Sequence, residues 1–177
     1  KSGILIRLKK GLYVVSPKKS GKLLSMELIA NHLYGPSYVS MESALRYYGL
    51  IPESVYITQS MTTKHSREFK NSLGKFEYTQ CTKEYFAIGI RHEIKDNAAF
   101  LIAQPEKALC DLIVNTPNLN MRFQKEILTY LEDNLRFDMD AFFKMDANIF
   151  QQCALVGKKK STITNIIKII KKNVSTY

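Results

Sequence analysis

The chain has no tryptophan, only three cysteines, and no apolar run near the roughly 20 residues that a membrane-crossing helix requires. Cys81, Cys110 and Cys153 are odd in number and far apart, with no C-x-x-C pair. That excludes a disulfide framework and a thiolate metal site, and reads instead as three small buried hydrophobes. His32, His65 and His92 are equally scattered, so no metal is expected. The first residues lack the apolar core of a signal peptide, and a cytoplasmic, membrane-free protein is expected. Three phosphate and nucleophile motifs are also missing: G-x-x-x-x-G-K-[ST], G-x-G-x-x-G and G-x-S-x-G. Without them the phosphate-loop, dinucleotide and serine-hydrolase readings have no mechanical parts. The expectation is a protein that is not an enzyme, with no cofactor and no small-molecule substrate.

What is present is a core and a segregated charge. The 177 residues are 45% hydrophobic and 24% charged, enough for one globular domain or one domain with a small appendage. The net charge is +10, but it is terminal. Residues 1–22 carry Lys1, Arg7, Lys9, Lys10, Lys18, Lys19 and Lys22 with no acid; residues 157–172 carry Lys158, Lys159, Lys160, Lys168, Lys171 and Lys172, again with none. Between them the balance is net acidic. Charge of one sign gathered at two places points to a polyanionic partner, nucleic acid before an acidic membrane. The alternative is two solvated faces.

Hydrophobic periodicity divides the chain. "ILIRLKKGLYVV" alternates through Ile4, Ile6 and Leu8, breaks at Lys9-Lys10-Gly11 and returns from Leu12 to Val15, the pattern of a hairpin. "SPKKSGK" (16–22) reads as a linker. Ser25 caps a helix carrying Leu28, Ile29, His32 and Leu33. Ser40 opens a second, with Ala44, Leu45 and Tyr48 on one face and Gly49 after it; Ser43 stands where a capping box would place Glu. From Val55 to Ala103 five strand-like runs, among them "YFAIGIRHEI", predict an antiparallel meander. Pro105 then starts a helix with Ala108, Leu109, Leu112 and Ile113 at helical spacing. Helices are expected over 121–136, around 139–155, and over 161–173. The last carries Ile163, Ile166, Ile167, Ile170 and Val174 as a stripe, with Lys168 and Lys172 opposite.

Arg7, Lys9 and Lys10 lie on and beside the hairpin turn, where cations contact phosphate or the minor groove; Tyr13 adds a hydroxyl contact, or packs on the strand. Lys18, Lys19 and Lys22 come next in support. Lys158, Lys159, Lys160, Lys171 and Lys172 form a second patch. The three lysines before the last helix oppose its macrodipole at the N-terminal end, which favours a partner for them. One rival has catalytic content: Glu93-Ile94-Lys95 with Glu77 or Glu84 upstream is the acid-x-Lys arrangement with which nucleases hold a divalent cation. A second rival is a protein-interaction module that binds no DNA.

Several blocks together resemble the AbiEi antitoxin family, the transcriptional regulators of type IV toxin–antitoxin (abortive phage infection) systems. They are "LIRLKKGLYVV", "LIANHLYGPSYVSMESALRYYGLIPE", "TTKHSREFKNSLGKFEY" and "FLIAQPEKALCDLI", spanning about residues 4–115. The more specific are "SYVSMESALRYYGLIPE" and "PEKALCDL". The resemblance implies a winged helix-turn-helix whose wing corresponds to Ile4–Val15, joined to an antitoxin domain from Leu23 onward. It implies binding of double-stranded DNA at operator inverted repeats in the protein's own promoter. It further implies opposition to a nucleotidyltransferase-like toxin without a stable complex. The helices that precede the wing in the family pattern, the recognition helix included, are missing from this sequence. The expected architecture is α+β. Residues 1–22 form the wing hairpin and basic linker of a truncated winged helix-turn-helix, residues 23–116 an α+β core, and residues 117–177 a helical part.

Overall fold

The computed structural model describes residues 4–52 and 56–174; Lys1, Glu53, Val55 and the side chain of Val174 lie outside the described residues. The chain is α+β. Strands β1 (Leu5–Lys9) and β2 (Leu12–Val15) form the expected hairpin. The stretch read as a linker contains one helical turn, α1 (Pro17–Ser20). Proline starts it, since its fixed φ suits a first turn, and Gly21 ends it in the left-handed region at φ 66°.

The expected meander is corrected to a mixed six-stranded sheet. Its strands are β3 (Ser37–Val39), β4 (Ile57–Thr62), β5 (Arg67–Asn71), β6 (Gly74–Gln80), β7 (Ile90–Lys95) and β8 (Ala98–Ala103), in the order β5-β6-β4-β3-β8-β7. The local hairpins β5–β6 and β7–β8 form as the turns require, but they lie at opposite edges. Parallel pairings, β4 with β6 and β3 with β8, build the centre. A parallel pairing joins strands distant in sequence and leaves no local turn signal. The front of the expected strand "YFAIGIRHEI" is instead α4 (Lys83–Phe86), because Thr82 Oγ1 accepts from the Tyr85 amide at 3.3 Å and caps a turn.

Helices cover both faces of the sheet. On one side Tyr78 donates its hydroxyl to the Ala30 carbonyl, at 2.6 Å, in α2 (Met26–Leu33). Ser25 caps α2 as expected, accepting from Leu28 N at 3.1 Å. His32 is exposed, and the buried positions are Ile29, Ala30 and Leu33. Asn31 stitches α2 to β8, its oxygen accepting from Leu101 N at 2.6 Å and its amide donating to Leu101 O at 3.3 Å. On the other side Tyr38 and Met61, paired across β3–β4, reach α5 (Pro105–Asn115). Every residue of α5 from Lys107 to Ile113 is buried, so it is the central helix of the core.

Beside α5 packs α3 (Met41–Tyr47). Ser43 is not a substitute for a capping glutamate: its hydroxyl donates to Ile57 O and accepts from Gln59 N, both at 2.9 Å, bridging α3 to β4. The helical part also differs in detail. The helix expected over 121–136 is α6 (Gln124–Thr129) running into a π-helical turn at Tyr130–Asn134. The one expected near 139–155 is two, α7 (Met139–Phe142) and α8 (Ala147–Val156), each with its own aspartate cap. Asp138 accepts from Ala141 N and Asp146 from Asn148 N. The last helix, α9 (Lys160–Val174), buries Ile163, Ile166, Ile167 and Ile170 as the stripe requires. These side chains and those of the sheet belong to one continuous apolar cluster that also contains Leu8 of the hairpin.

Candidate nucleic-acid interface

Alternation along β1 places Lys9 on the same face as Leu5 and Arg7. The structure does not, because the ladder slips between Arg7 and Lys9: Arg7 opposes Tyr13, whereas Lys9 opposes Leu12. A bulge adds a residue and re-aims the side chains beyond it. Lys9 therefore turns inward, its ammonium donating to the Leu33 carbonyl at 2.5 Å and lying 5.9 Å from the Phe69 ring centre. Asn71 holds the same strand by donating to Leu8 O at 3.2 Å. These contacts fix the hairpin on the side of the sheet that α2 covers, and Lys9 is part of the mounting.

The mounted hairpin leaves Arg7, Lys10 and Tyr13 exposed, with exposed Lys18 and Lys19 on α1 and Lys22 after it. Its outward face is only partly basic. Leu5 (59% exposed), Tyr13 (52%) and Val15 (45%) share it with Arg7.

Sequence reading missed the neighbouring cations. Arg67 lies 4.9 Å from the Phe69 ring centre and 5.8 Å from that of Tyr34. Lys64 lies 5.3 Å from the Tyr34 ring centre and donates to Gly35 O at 2.5 Å. Tyr34, Phe69 and Tyr78 pack edge-on or tilted against one another, with ring centres 5.2–5.8 Å apart. Lys9 and Arg67 thus share one ring, and Lys64 and Arg67 another, so the hairpin turn and the start of β5 form one cationic surface on an aromatic base. The signal for this was present: Arg67 and Phe69 are two apart on a strand and must share a face. What the sequence could not show is that this face abuts the hairpin.

The second basic patch is elsewhere. Lys158, Lys160, Lys168, Lys171 and Lys172 are exposed. Lys159 is half-buried, and its ammonium donates to Ile113 O and Thr116 O at 2.8 and 2.9 Å, satisfying carbonyls at the C-terminal end of α5. Burial lowers its pKa. Because Lys159 anchors on α5 and Lys9 anchors beside α2, the two patches lie on opposite sides of the sheet.

The two specific sequence blocks, "SYVSMESALRYYGLIPE" and "PEKALCDL", meet inside the molecule. Lys107 and Asp111 are both 0% exposed and form an ion pair at 3.0 Å. Asp111 Oδ2 accepts from Tyr38 at 3.0 Å and from Ser40 at 2.6 Å, so Ser40 serves Asp111 and gives no side-chain cap to α3. The Lys107 ammonium also donates to Tyr85 O at 3.1 Å and lies 3.1 Å from the Tyr85 ring centre. Burial first, and the Asp111 charge second, push the Tyr38 and Tyr85 hydroxyls far above the usual phenol range. Gly89, at φ 58°, passes directly over this lysine; a β-carbon there would stand 2.8 Å from Lys107 Cβ. The cluster is closed to solvent and ties β3, α4 and α5 together.

The acid-x-Lys arrangement is not assembled. Glu77 on β6 and Glu93 on β7 are four strand spacings apart, roughly 19 Å. Each is paired locally, Glu77 with Lys75 at 2.6 Å and Glu93 with Arg91 at 2.8 Å. Glu84 is exposed on α4. Among the described residues no helix is long and apolar enough to cross a membrane. No protein-family model matches the chain, and no curated protein does, so the likeness to the AbiEi antitoxins is carried by the quoted residues alone.

Proposed function

We propose that the chain is a DNA-binding transcriptional regulator of the antitoxin type, acting on duplex DNA by phosphate contact and performing no catalysis. The observation that carries this reading is the cationic surface around the mounted hairpin. Arg7, Lys10, Lys18, Lys19 and Lys22 are exposed on one segment, and Lys64 and Arg67 adjoin it on aromatic supports. Cations held this way lose little freedom on meeting phosphate, and phosphate contacts position a protein on DNA without reading bases. In this reading the protein represses its own operon and counteracts a nucleotidyltransferase-like toxin without forming a stable complex with it. The second patch, Lys158 and Lys160 with the exposed face of α9, gives weaker, separate contact.

The test is fluorescence anisotropy of a labelled promoter duplex and a scrambled duplex across a salt series. Engagement of four to six phosphates gives a log–log slope of about −4 to −5, at roughly −0.9 per phosphate. Binding that ignores salt, or none at low salt, overturns the proposal. Discrimination between the duplexes measures any base reading by these residues. A second reading rests on Leu5, Tyr13 and Val15, whose exposure suits a protein contact on the hairpin's outer face. A salt-resistant complex with the toxin encoded nearby, lost in Tyr13→Asp, would favour it.

A further inference from the structure

A cleft of about 310 Å³ opens on the side of the sheet opposite the hairpin, within the size range of small-molecule sites. Its floor is Met61 near the end of β4 and Gln80 at the end of β6, continuing into Cys81; one wall is Asn115 of α5, the other the α8–α9 connection. Two features separate it from a packing gap. It lies beyond the carboxyl ends of the parallel pair β4–β6, the position at which open sheets with parallel strands receive ligands. Gly157 also brings the connection so close that a β-carbon would stand 2.7 Å from the Tyr85 ring, which sets Lys158 at the mouth.

The lining has one sign. Among the described residues Lys158 is the one charged side chain that lines the cleft, and no carboxylate does; Asp111 behind it is already paired with Lys107. The rest of the lining mixes apolar Val114 and Val156 with the uncharged polar groups of Gln80, Thr82 and Asn115, the Asn115 amide being directed to Met61 Sδ at 3.7 Å and to Asp111 O at 2.8 Å. We infer that this cleft binds a small, largely apolar molecule carrying a single negative charge, such as an aromatic carboxylate or sulfonate, with its ring against Val114 and Val156 and its anion on Lys158. This site is separate from the hairpin surface and shares Lys158 with the second basic patch.

The probe is 8-anilinonaphthalene-1-sulfonate, an aromatic monoanion, titrated into the full chain and read by its blue-shifted fluorescence. Saturable one-to-one binding is expected. Lys158→Gln should weaken it about fivefold, the effect of one partly exposed charge pair, whereas Lys160→Gln, outside the cleft, should not. Val156→Trp, at a half-exposed rim position, should block it with the circular dichroism unchanged. Cys81 supplies a second readout: it is the half-exposed cysteine of the three, and bound probe should slow its reaction with a maleimide. Absent or unsaturable binding, equal effects of the two lysine variants, or unprotected Cys81 would overturn the assignment.

Discussion

Lys107 and Lys64 make the same two contacts in opposite surroundings. Each donates to a backbone carbonyl and each stands over a tyrosine ring, Lys107 with Tyr85 and Lys64 with Gly35 and Tyr34. Lys107 is sealed from water and has a carboxylate partner; Lys64 is exposed, and no carboxylate pairs with it among the described residues. In the interior the ammonium must have its charge matched, because an unmatched buried ion costs several kcal/mol. At the surface water does the matching, and the charge stays available to an external anion. The same side chain is therefore architecture in one region and binding surface in the other, and solvent access decides which.

The largest break in that comparison comes from Lys107→Met, which strands the Asp111 charge. Urea unfolding should show a loss of about 3–5 kcal/mol, most of it recovered in Lys107→Met with Asp111→Leu, where no charge is left unpaired. Failure of the double variant to recover would mean that Tyr38 and Ser40 depend on the carboxylate as well. Next, Lys64→Glu with Arg67→Glu should weaken duplex binding roughly tenfold and flatten the salt slope, at a stability cost of about 1–2 kcal/mol from the lost bond to Gly35 O and the lost ring contacts. Unchanged affinity would remove β5 from the interface.

Lys9→Met sharpens the boundary between the two classes. It should cost about 1 kcal/mol through loss of the bond to Leu33 O, and hydrogen exchange should quicken in the β1–β2 amides before it quickens in the central strands. If duplex binding fell while hairpin protection held, Lys9 would belong with the surface cations. The smallest effect is chemical. Burial, with the Asp111 charge behind it, pushes the Cys81 thiol up to about 11. The thiolate is the reactive form, so alkylation of the native protein should be confined to Cys81 and should still accelerate as pH rises past 9, with mass spectrometry locating the label. Burial likewise raises Cys110, and Cys153, hydrogen-bonded to it, is shielded by the core; both should react after unfolding.

How much was legible varied with the range of the interaction. Ser25, Pro105 and the spacing of Ile163, Ile166, Ile167 and Ile170 announced their helices, because caps and periodicity act within a few residues. Lys10 and Arg7 were legible as exposed cations for the same reason. Lys9 was not, since a bulge has no fixed sequence signature. Lys64 and Arg67 were not, since their significance depends on a neighbour about 60 residues away in the chain.

By itself the sequence determined the α+β class, the hairpin, the segregation of positive charge and most helix starts. All of these come from local propensity and from the burial of apolar faces. Tertiary structure alone decided the parallel pairings that turn an expected meander into a mixed sheet. It also decided the meeting of Lys107 with Asp111, Tyr38 and Ser40, the separation of Glu77 from Glu93, and the inward turn of Lys9. The physical reason is common to them: each rests on groups whose proximity, or whose access to water, is created by the packing of distant segments.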